Sequence, residues 1–414
     1  MSRTRSLDPS IHLDPVGEDS RIAEVRSADL NDEVEAVVHY ACAALSHWNR
    51  LASVSRLPAE ILTIVFRHLT PTIVWGPLHS SVNRRVHAAR ARYWSEMQCL
   101  IDVTHVCRIW RDVALNDPAL WSNIWIEDAE WSAEMLRRTR NGPLTIVQTD
   151  SEYIDSLWPF LSLPHRTRRL CLHHIDSDDQ DDLETILQEY LRQPAPSLED
   201  LQIQLPYHSC PIPYDLFSQV APRLNSLCID GTPDCDAFFR SPIIRGLTTL
   251  ELGRSWTKME HSAILSDVVS VLMNNPDLET LVLHGFFSAT ADARLWRPIT
   301  SEDAIHLPAL SFLDLDGDVV ACTDLVRRLY VARVRMLFYR LSYPSGLDRS
   351  TDWMSSTAIP LLLHPLQSAL ATPIQTVEVI CIIGLSWSVH LLDRHLQSLD
   401  EHPEKRDSNT ILDL

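Results

Sequence analysis

The 414-residue sequence is poor in glycine, in closely spaced cysteines and in long apolar runs. Ten glycines leave little material for phosphate-binding loops, and neither a P-loop nor a G-x-G-x-x-G pattern occurs. The longest apolar stretch, VICIIGLSWSV at 379–389, is shorter than the ~18 residues that a membrane-spanning helix needs. Nine cysteines are spread singly without a CxxC pair, which indicates reduced thiols rather than a disulfide framework. These absences argue against nucleotide-binding loops, a membrane span and a disulfide-stapled fold.

Basic residues are also scarce. The chain has 36 Lys and Arg against 55 Asp and Glu, which gives a formal net charge of -19. Because nucleic-acid phosphates require a basic surface, DNA or RNA is not expected as the main partner. The N-terminal stretch MSRTRSLDPSIHLDP lacks the apolar core of a signal peptide. We therefore expect an intracellular protein of the cytoplasm and/or the nucleus.

No group of residues matches a catalytic or metal-binding arrangement. Residues 384–388 read GLSWS, which is not the G-x-S-x-G of a nucleophile elbow. Cys107 lies on an apolar stripe, which favours a buried thiol over a nucleophile. His173 and His174 precede the acidic run at 176–182, but further ligands at metal-binding spacing are lacking. We expect no catalytic residue, no metal and no cofactor.

Two short amphipathic segments lie near the front of the chain. In LPAEILTIVFRHL at 57–69, Pro58 occupies the first turn, where its missing N–H costs nothing, and Glu60 complements the positive helix end. The apolar residues that follow form one wide stripe: Ile61, Leu62, Val65, Phe66 and Leu69. In VTHVCRIWRDVA at 103–114, a second stripe recurs at helical spacing: Val103, Val106, Cys107, Trp110 and Val113. This is more apolar surface than two short helices can cover in each other, so it calls for the rest of the chain or a partner.

A short pattern recurs between about residues 166 and 318. Five stretches have the form L-x-x-L-x-(L/I), beginning at Leu198, Leu224, Leu247, Leu278 and Leu310. A sixth, TRRLCL from Thr167, lacks only the first leucine, and VRMLFY from Val334 and IQTVEV from Ile374 are weaker candidates. Alternation at the end of each stretch is typical of a half-buried strand, and helix-like runs lie between them. The spacing of the stretches is irregular, so an α/β domain with similar strands is the open alternative to a repeat protein.

The two front segments carry a resemblance to a known family. The order Leu-Pro, Ile-Leu, Val-Cys-x-x-Trp and Leu-Trp between residues 57 and 121 resembles an F-box, the helical module that docks on the Skp-type adaptor of a cullin ubiquitin ligase. The whole layout is similar to the F-box proteins with leucine-rich-like repeats that are abundant in mushroom-forming fungi. The resemblance implies an adaptor-facing set: Leu57, Pro58, Ile61, Leu62 and Phe66. It implies a second set that packs the module or borders the same interface: Val106, Cys107, Trp110, Leu120 and Trp121.

The expected fold class is α+β or α/β, with a small N-terminal helical F-box module followed by an irregular leucine-rich-repeat-like solenoid. A disordered segment is expected at 1–33, and the module at 34–125 with an inserted segment at 71–100. A target-binding domain at 126–395 and a polar tail at 396–414 complete the predicted organisation. The solenoid would stack one strand and one helix per unit, because no unit can bury its row of leucines alone.

In each alternating stretch the fourth and sixth residues point inward, so their neighbours face outward. These outward residues are expected to form a concave target-binding face: Asp200, Gln202, Gln204, Ser226, Asp230, Thr249, Glu251, Thr280, His284, Asp314 and Asp316. Five of them are acidic and none is Lys or Arg, which predicts a protein target with a basic patch or segment.

The expected function is that of a substrate receptor in a Skp–cullin–F-box ubiquitin ligase. It would bind the adaptor with its front helices and a target with its repeats, and would not itself be an enzyme. The alternative is a leucine-rich-repeat scaffold without a ubiquitin role, in which the front helices act as a cap of the solenoid.

Overall fold

The computed structural model describes the following residues: 15–73, 82–149, 151–173, 185–204, 213, 215–230, 238–253, 265–285, 304–332, 334–342, 376–383 and 385–392. The chain divides into two compact units. The first comprises Met1–His68 with Leu100–Asn116, and the second comprises Leu69–Cys99 with Asp117–Leu414. The predicted tail at 396–414 lies outside the described residues.

Four helices occupy the N-terminal part of the chain: α1 (Pro15–Leu51), α2 (Ala59–Arg67), α3 (Val82–Val106) and α4 (Arg108–Asn116). A 3-10 turn, Ser53–Arg56, follows α1. Helix α1 begins inside the segment at 1–33 that we predicted to be disordered. Its sequence there has a proline at the first helical position and includes Glu, Ala and Arg, which favour helix without requiring an apolar period.

The segment at 71–100, predicted as an inserted loop with a surface helix, contains most of the 25-residue helix α3. Its arginines suggested an exposed helix, but Tyr93 and Met97, four residues apart, are buried. The Tyr93 hydroxyl donates to the Asn123 carbonyl at 3.0 Å and accepts from the Trp125 amide at 3.3 Å. Burial raises the pKa of Tyr93 far above its usual range. The part of this helix before residue 100 therefore belongs to the packing of the second unit.

The strands of the second unit are β1 (Asn123–Trp125), β2 (Leu144–Gln148), β3 (Thr167–Leu172), β4 (Asp200–Gln204), β5 (Ser226–Asp230), β6 (Thr249–Gly253), β7 (Thr280–His284), β8 (Ile305–Leu307), β9 (Phe312–Asp318), β10 (Leu329–Val331), β11 (Met336–Ser342), β12 (Thr376–Ile383) and β13 (Leu385–Leu392). Its further α-helices are α5 (Ala129–Thr139), α6 (Trp158–Leu161), α7 (Leu265–Met273) and α8 (Val319–Arg328). Shorter helical segments are Pro118–Trp121, Ser151–Ser156, Leu216–Gln219 and Pro242–Ile244, of 3-10 type, and the π-helix Ile186–Tyr190.

Eleven strands form one sheet in the order β1-β2-β3-β4-β5-β6-β7-β9-β11-β12-β13. Neighbours from β1 through β12 run parallel, and β13 is antiparallel to β12. Strands β8 and β10 pair with each other in a separate parallel sheet. Parallel strands need crossover connections, and these contain the helical segments.

The predicted solenoid fold class is wrong, because nine strands from β1 to β11 form a large parallel sheet with helices, which is an α/β fold. In the parts that the structure describes, the connections do not repeat one unit. An 11-residue helix joins β1 to β2, whereas a four-residue 3-10 segment lies between β4 and β5. The alternating leucines indicate strands correctly, but a strand in any sheet that is covered on one face shows this alternation.

The core lies against one face of this sheet. Strand register aligns two buried apolar rows across it. The first row is Leu170, Leu201, Leu227, Leu250, Leu281, Leu313 and Leu337, and the second is Leu172, Ile203, Ile229, Leu252, Leu283, Leu315 and Tyr339. The opposite face carries the outward residues and is called the polar face below. Among the described residues, no helix has the length and apolar character needed to cross a membrane.

Candidate protein-binding surfaces

Helix α2 and the two residues before it present an exposed apolar stripe, which we call the docking stripe: Leu57, Pro58, Ile61, Ile64 and Val65. Pro58 caps the helix, and its carbonyl accepts hydrogen bonds from the amides of Ile61 and Leu62, both at 3.1 Å. Glu60 lies in the first turn and Arg67 in the last, so both complement the helix dipole. Local sequence, through Pro58 and Glu60, therefore determines where the helix that bears this stripe begins.

The opposite side of α2 is fully packed. Leu62 and Phe66 are each 1% exposed, whereas Ile61 is 42% exposed. The Phe66 ring lies 5.2 Å from that of Trp110 on α4. Leu62 and Phe66, which the resemblance assigned to the adaptor face, thus lie in the packing of the first unit. Leu57, Pro58 and Ile61 lie on its surface.

The second predicted amphipathic helix is interrupted at Cys107, where α3 ends and α4 begins. Val106 and Ile109 are exposed, whereas Cys107 and Trp110 are half-buried. The indole N–H of Trp110 is buried and has no hydrogen-bond partner among the described residues. The first unit therefore has further exposed apolar residues near the break between α3 and α4. The sequence periodicity had predicted one continuous helix there.

Leu120 and Trp121 are completely buried in the second unit. They lie in the 3-10 segment Pro118–Trp121, which Asp117 caps by accepting from the Ala119 amide. The guanidinium of Arg138 lies 4.3 Å from the centre of the Trp121 ring. These two residues are structural in this arrangement and present no exposed surface.

On the polar face, the strand register produces three rows of side chains. The middle row contains Cys171, Gln202, Cys228, Glu251, Val282 and Asp314, all of them buried. Gln202, Glu251 and Asp314, predicted as outward binding residues, do face this side but are covered by their neighbours. The flanking rows, which include Asp200, Asp230, His284 and Asp316, are half-buried and provide the accessible polar surface.

The middle row is linked by weak polar contacts. The Cys171 thiol lies 3.7 Å from the Gln202 carbonyl oxygen, and the Gln202 amide lies 3.8 Å from Cys228 Sγ. The Cys228 thiol donates to Glu251 at 3.1 Å. Burial raises the pKa of both thiols well above the usual range, and nearby carboxylates raise it further. Protonated, buried thiols are poor nucleophiles, so this row is a packing feature.

A charged cluster lies where β7, β9 and β11 end. His284 Nε2 is 3.1 Å from an Asp314 carboxylate oxygen and 2.8 Å from the Arg340 guanidinium. Arg340 also lies 3.5 Å from Asp314 and 3.2 Å from Asp316. The sequence reading named no Lys or Arg on this face and missed Arg340. The sequence did contain a signal for it, because Arg340 directly follows the weaker strand candidate VRMLFY. In the sheet, that strand places Arg340 beside Asp316.

The carboxylates on the β4–β5 side of the polar face are held mainly by neutral groups. Burial raises the pKa of Asp200, while a hydrogen bond with Ser226 and the charge of Arg169 oppose the rise. Burial also raises the pKa of Asp230, which accepts from the Gln204 amide at 3.4 Å. A Cβ at Gly253 would lie 2.8 Å from an Asp230 oxygen, so glycine makes room for this carboxylate. Asp200 on β4 and Asp230 on β5 are therefore the half-buried carboxylates of this face that lie away from Arg340, since Glu251 is buried.

Replacing Asp230 by Asn is expected to stabilise the fold near neutral pH. Burial raises the folded-state pKa of Asp230, so ionisation of this carboxylate lowers the free energy of unfolding. The loss begins when the pH exceeds the unfolded-state pKa, and it is complete above the folded-state pKa. The gain from Asp230→Asn should therefore be absent at low pH, where both states are protonated, and should grow as the pH rises above about 4, the ordinary pKa of an aspartate in an unfolded chain. Urea unfolding across this range measures it. Asp277→Asn, at an exposed position, is the control, and an equal gain for both variants would contradict the burial argument.

Among the described residues, no group of three or more His, Cys, Asp or Glu side chains is placed to hold a metal ion. His173 is buried, and the acidic run at 176–182 lies outside the described residues.

Comparison of the chain with protein-family models and with curated proteins gives no match.

Proposed function

We propose that this chain is the substrate-receptor subunit of a Skp–cullin–F-box type ubiquitin ligase. The observation that carries the proposal is the docking stripe, an exposed apolar surface beginning with Leu57-Pro58 on a helix whose other side is buried. Apolar residues so arranged are available to a partner without unfolding the helix, because Leu62 and Phe66 hold it in place from behind. The motif order from Leu57 to Trp121, which resembles an F-box, supports the identity of that partner as a Skp-type adaptor.

The proposed mechanism is proximity, and the chain forms no covalent bond with a substrate. One surface holds the adaptor and another holds a target, which raises the effective concentration of the target near the ubiquitin-loaded enzyme. No cofactor or metal takes part. The role implies an intracellular location, in the cytoplasm or the nucleus.

The polar face is the proposed target-binding surface. Asp200 and Asp230 supply negative charge that neighbouring cations do not fully neutralise, whereas Arg340 lies beside Asp314 and Asp316. A basic segment of a target would therefore bind across β4 and β5 rather than across β9 and β11. Such binding should weaken as salt rises, because the charges are partly exposed to solvent.

Neutralising the β4–β5 carboxylates should reduce binding of basic segments. We expect Asp200→Asn with Asp230→Asn to lower the affinity for Lys- and Arg-rich peptides on a peptide array by about tenfold, as two weakened charge contacts would. The matched control is Asp267→Asn with Asp277→Asn, which removes the same charge elsewhere in the second unit. Equal losses for both pairs would indicate attraction by overall charge and no site on the polar face.

Assembly with purified components tests the proposed function. The full chain, a Skp-type adaptor and a cullin are expected to co-elute in size-exclusion chromatography as an equimolar complex that requires the adaptor. If the folded chain elutes alone while the adaptor and cullin associate, the chain has no ubiquitin-ligase role. It would then be an interaction protein of another kind.

A further inference from the structure

Helix α1 has a long apolar face that remains exposed. Its exposed large side chains between 30 and 51 are Leu30, Val34, Val37, Val38, Tyr40, Leu45, Trp48 and Leu51. Val37 is 68% exposed and Trp48 is 75% exposed. Single exposed apolar residues are ordinary, but a continuous stripe of about 33 Å, at 1.5 Å per helical residue, indicates an interaction surface.

The spacing of this face specifies a helical partner. Steps of four and three residues alternate without a break along one line: Leu30, Val34, Val37, Ala41, Ala44, Trp48 and Leu51. An apolar repeat every 3.5 residues, sustained over about three heptads, is the pattern of a coiled coil. A straight α-helix has 3.6 residues per turn, so a helix that packs against an irregular surface is not expected to keep a strict repeat of 3.5 residues.

The charges of α1 specify the direction of that partner if it is a second copy. Residues 30–37 contain Asp32, Glu33 and Glu35 and no basic residue. Residues 38–49 contain no acidic residue but include His39 and His47. Parallel pairing would place the acidic halves side by side, whereas antiparallel pairing places each acidic half beside the half with histidines. Like charges at close range are destabilising, so the antiparallel arrangement is favoured.

The same arrangement also matches side-chain sizes. With the heptad positions aligned in antiparallel order, Val37 of one helix faces Ala41 of the other, and Val34 faces Ala44. Leu30 then faces Trp48 at each end of the seam. Small residues opposite branched ones allow the two backbones to approach closely near the centre. Glu33 of one copy flanks His47 of the other.

We propose that α1 binds α1 of a second copy of this chain and forms an antiparallel two-helix coiled coil. The inference is independent of adaptor binding, since the docking stripe lies on α2. A dimer of this kind would carry two docking stripes, and through them two adaptors, in one assembly.

Sedimentation equilibrium of the full-length chain tests the pairing. The chain should dimerise reversibly, and Val37→Glu should raise the dissociation constant at least about 30-fold, because it places a carboxylate in an apolar seam. The matched control is His39→Glu, which adds the same group to the opposite side of α1 and should change the constant less than about threefold. Helix content by circular dichroism confirms that both variants fold, as expected for exposed positions. A chain that stays monomeric, or a dimer that Val37→Glu does not weaken, overturns the proposal.

A charge swap tests the direction of the helices. Glu33→Lys should weaken the dimer because the new lysine replaces the carboxylate that faces His47 of the other copy. Adding His47→Glu to Glu33→Lys should restore the dimer, because opposite charges meet again. If the second change gives no recovery, the antiparallel arrangement is wrong.

Discussion

Replacing Leu57 and Ile61 together by alanine is expected to weaken binding to a Skp-type adaptor by about 100-fold or more. Both side chains are exposed in the free chain, so their truncation removes partner contacts without opening a cavity. Anchor residues at the centre of an interface typically contribute about 2 kcal/mol or more each, and every 1.4 kcal/mol corresponds to about a tenfold change in affinity. Calorimetric titration of the variant with purified adaptor gives the affinity directly.

The stability of that variant decides how its result is understood. Its urea midpoint should match that of the unchanged chain within error, since neither residue is buried. Val220→Ala with Met273→Ala removes two exposed apolar side chains from the second unit, and should leave adaptor binding unchanged. If the Leu57 and Ile61 variant unfolds while its folded fraction still binds the adaptor normally, the docking-stripe assignment is wrong.

Trp121→Ala is expected to cost the second unit about 3–5 kcal/mol of folding free energy, the usual range for truncating a fully buried tryptophan. The side chain is completely buried, and the change would also remove its contact with the Arg138 guanidinium. Urea unfolding followed by circular dichroism measures the loss. Tyr330→Ala, at a ring that is 45% exposed, should cost much less. A loss below about 1 kcal/mol for Trp121→Ala would show that the site collapses around the missing ring.

The strands were predictable because their pattern has a direct physical cause. Each of the six alternating stretches contains a strand, and its fourth and sixth residues are buried on the core side. In LEDLQI, for example, Leu201 and Ile203 lie in the two apolar rows. The fold class was not predictable in this way. Alternation of apolar and polar residues indicates only that one face of a strand is covered. The length and form of the connections distinguish an α/β sheet from a stack of identical units.

The binding surfaces were only partly predictable for a related reason. Helical period placed Ile61 and Leu62 on one apolar stripe, but the structure buries Leu62 and exposes Ile61. An apolar stripe that is wider than the surface it packs against leaves the residues along one edge exposed. The sequence alone does not indicate which edge is exposed. Period-two alternation likewise placed Gln202, Glu251 and Asp314 on the outward face, yet neighbouring strands less than about 5 Å away cover a central row from both sides.

The most direct measurement of the central claim is a calorimetric titration of the full-length chain with a purified Skp-type adaptor. The proposed role predicts an equimolar complex with a dissociation constant of about 1 µM or lower, as expected for a specific interface anchored by apolar residues. A folded chain that shows no binding at adaptor concentrations of about 100 µM would contradict the role of substrate receptor.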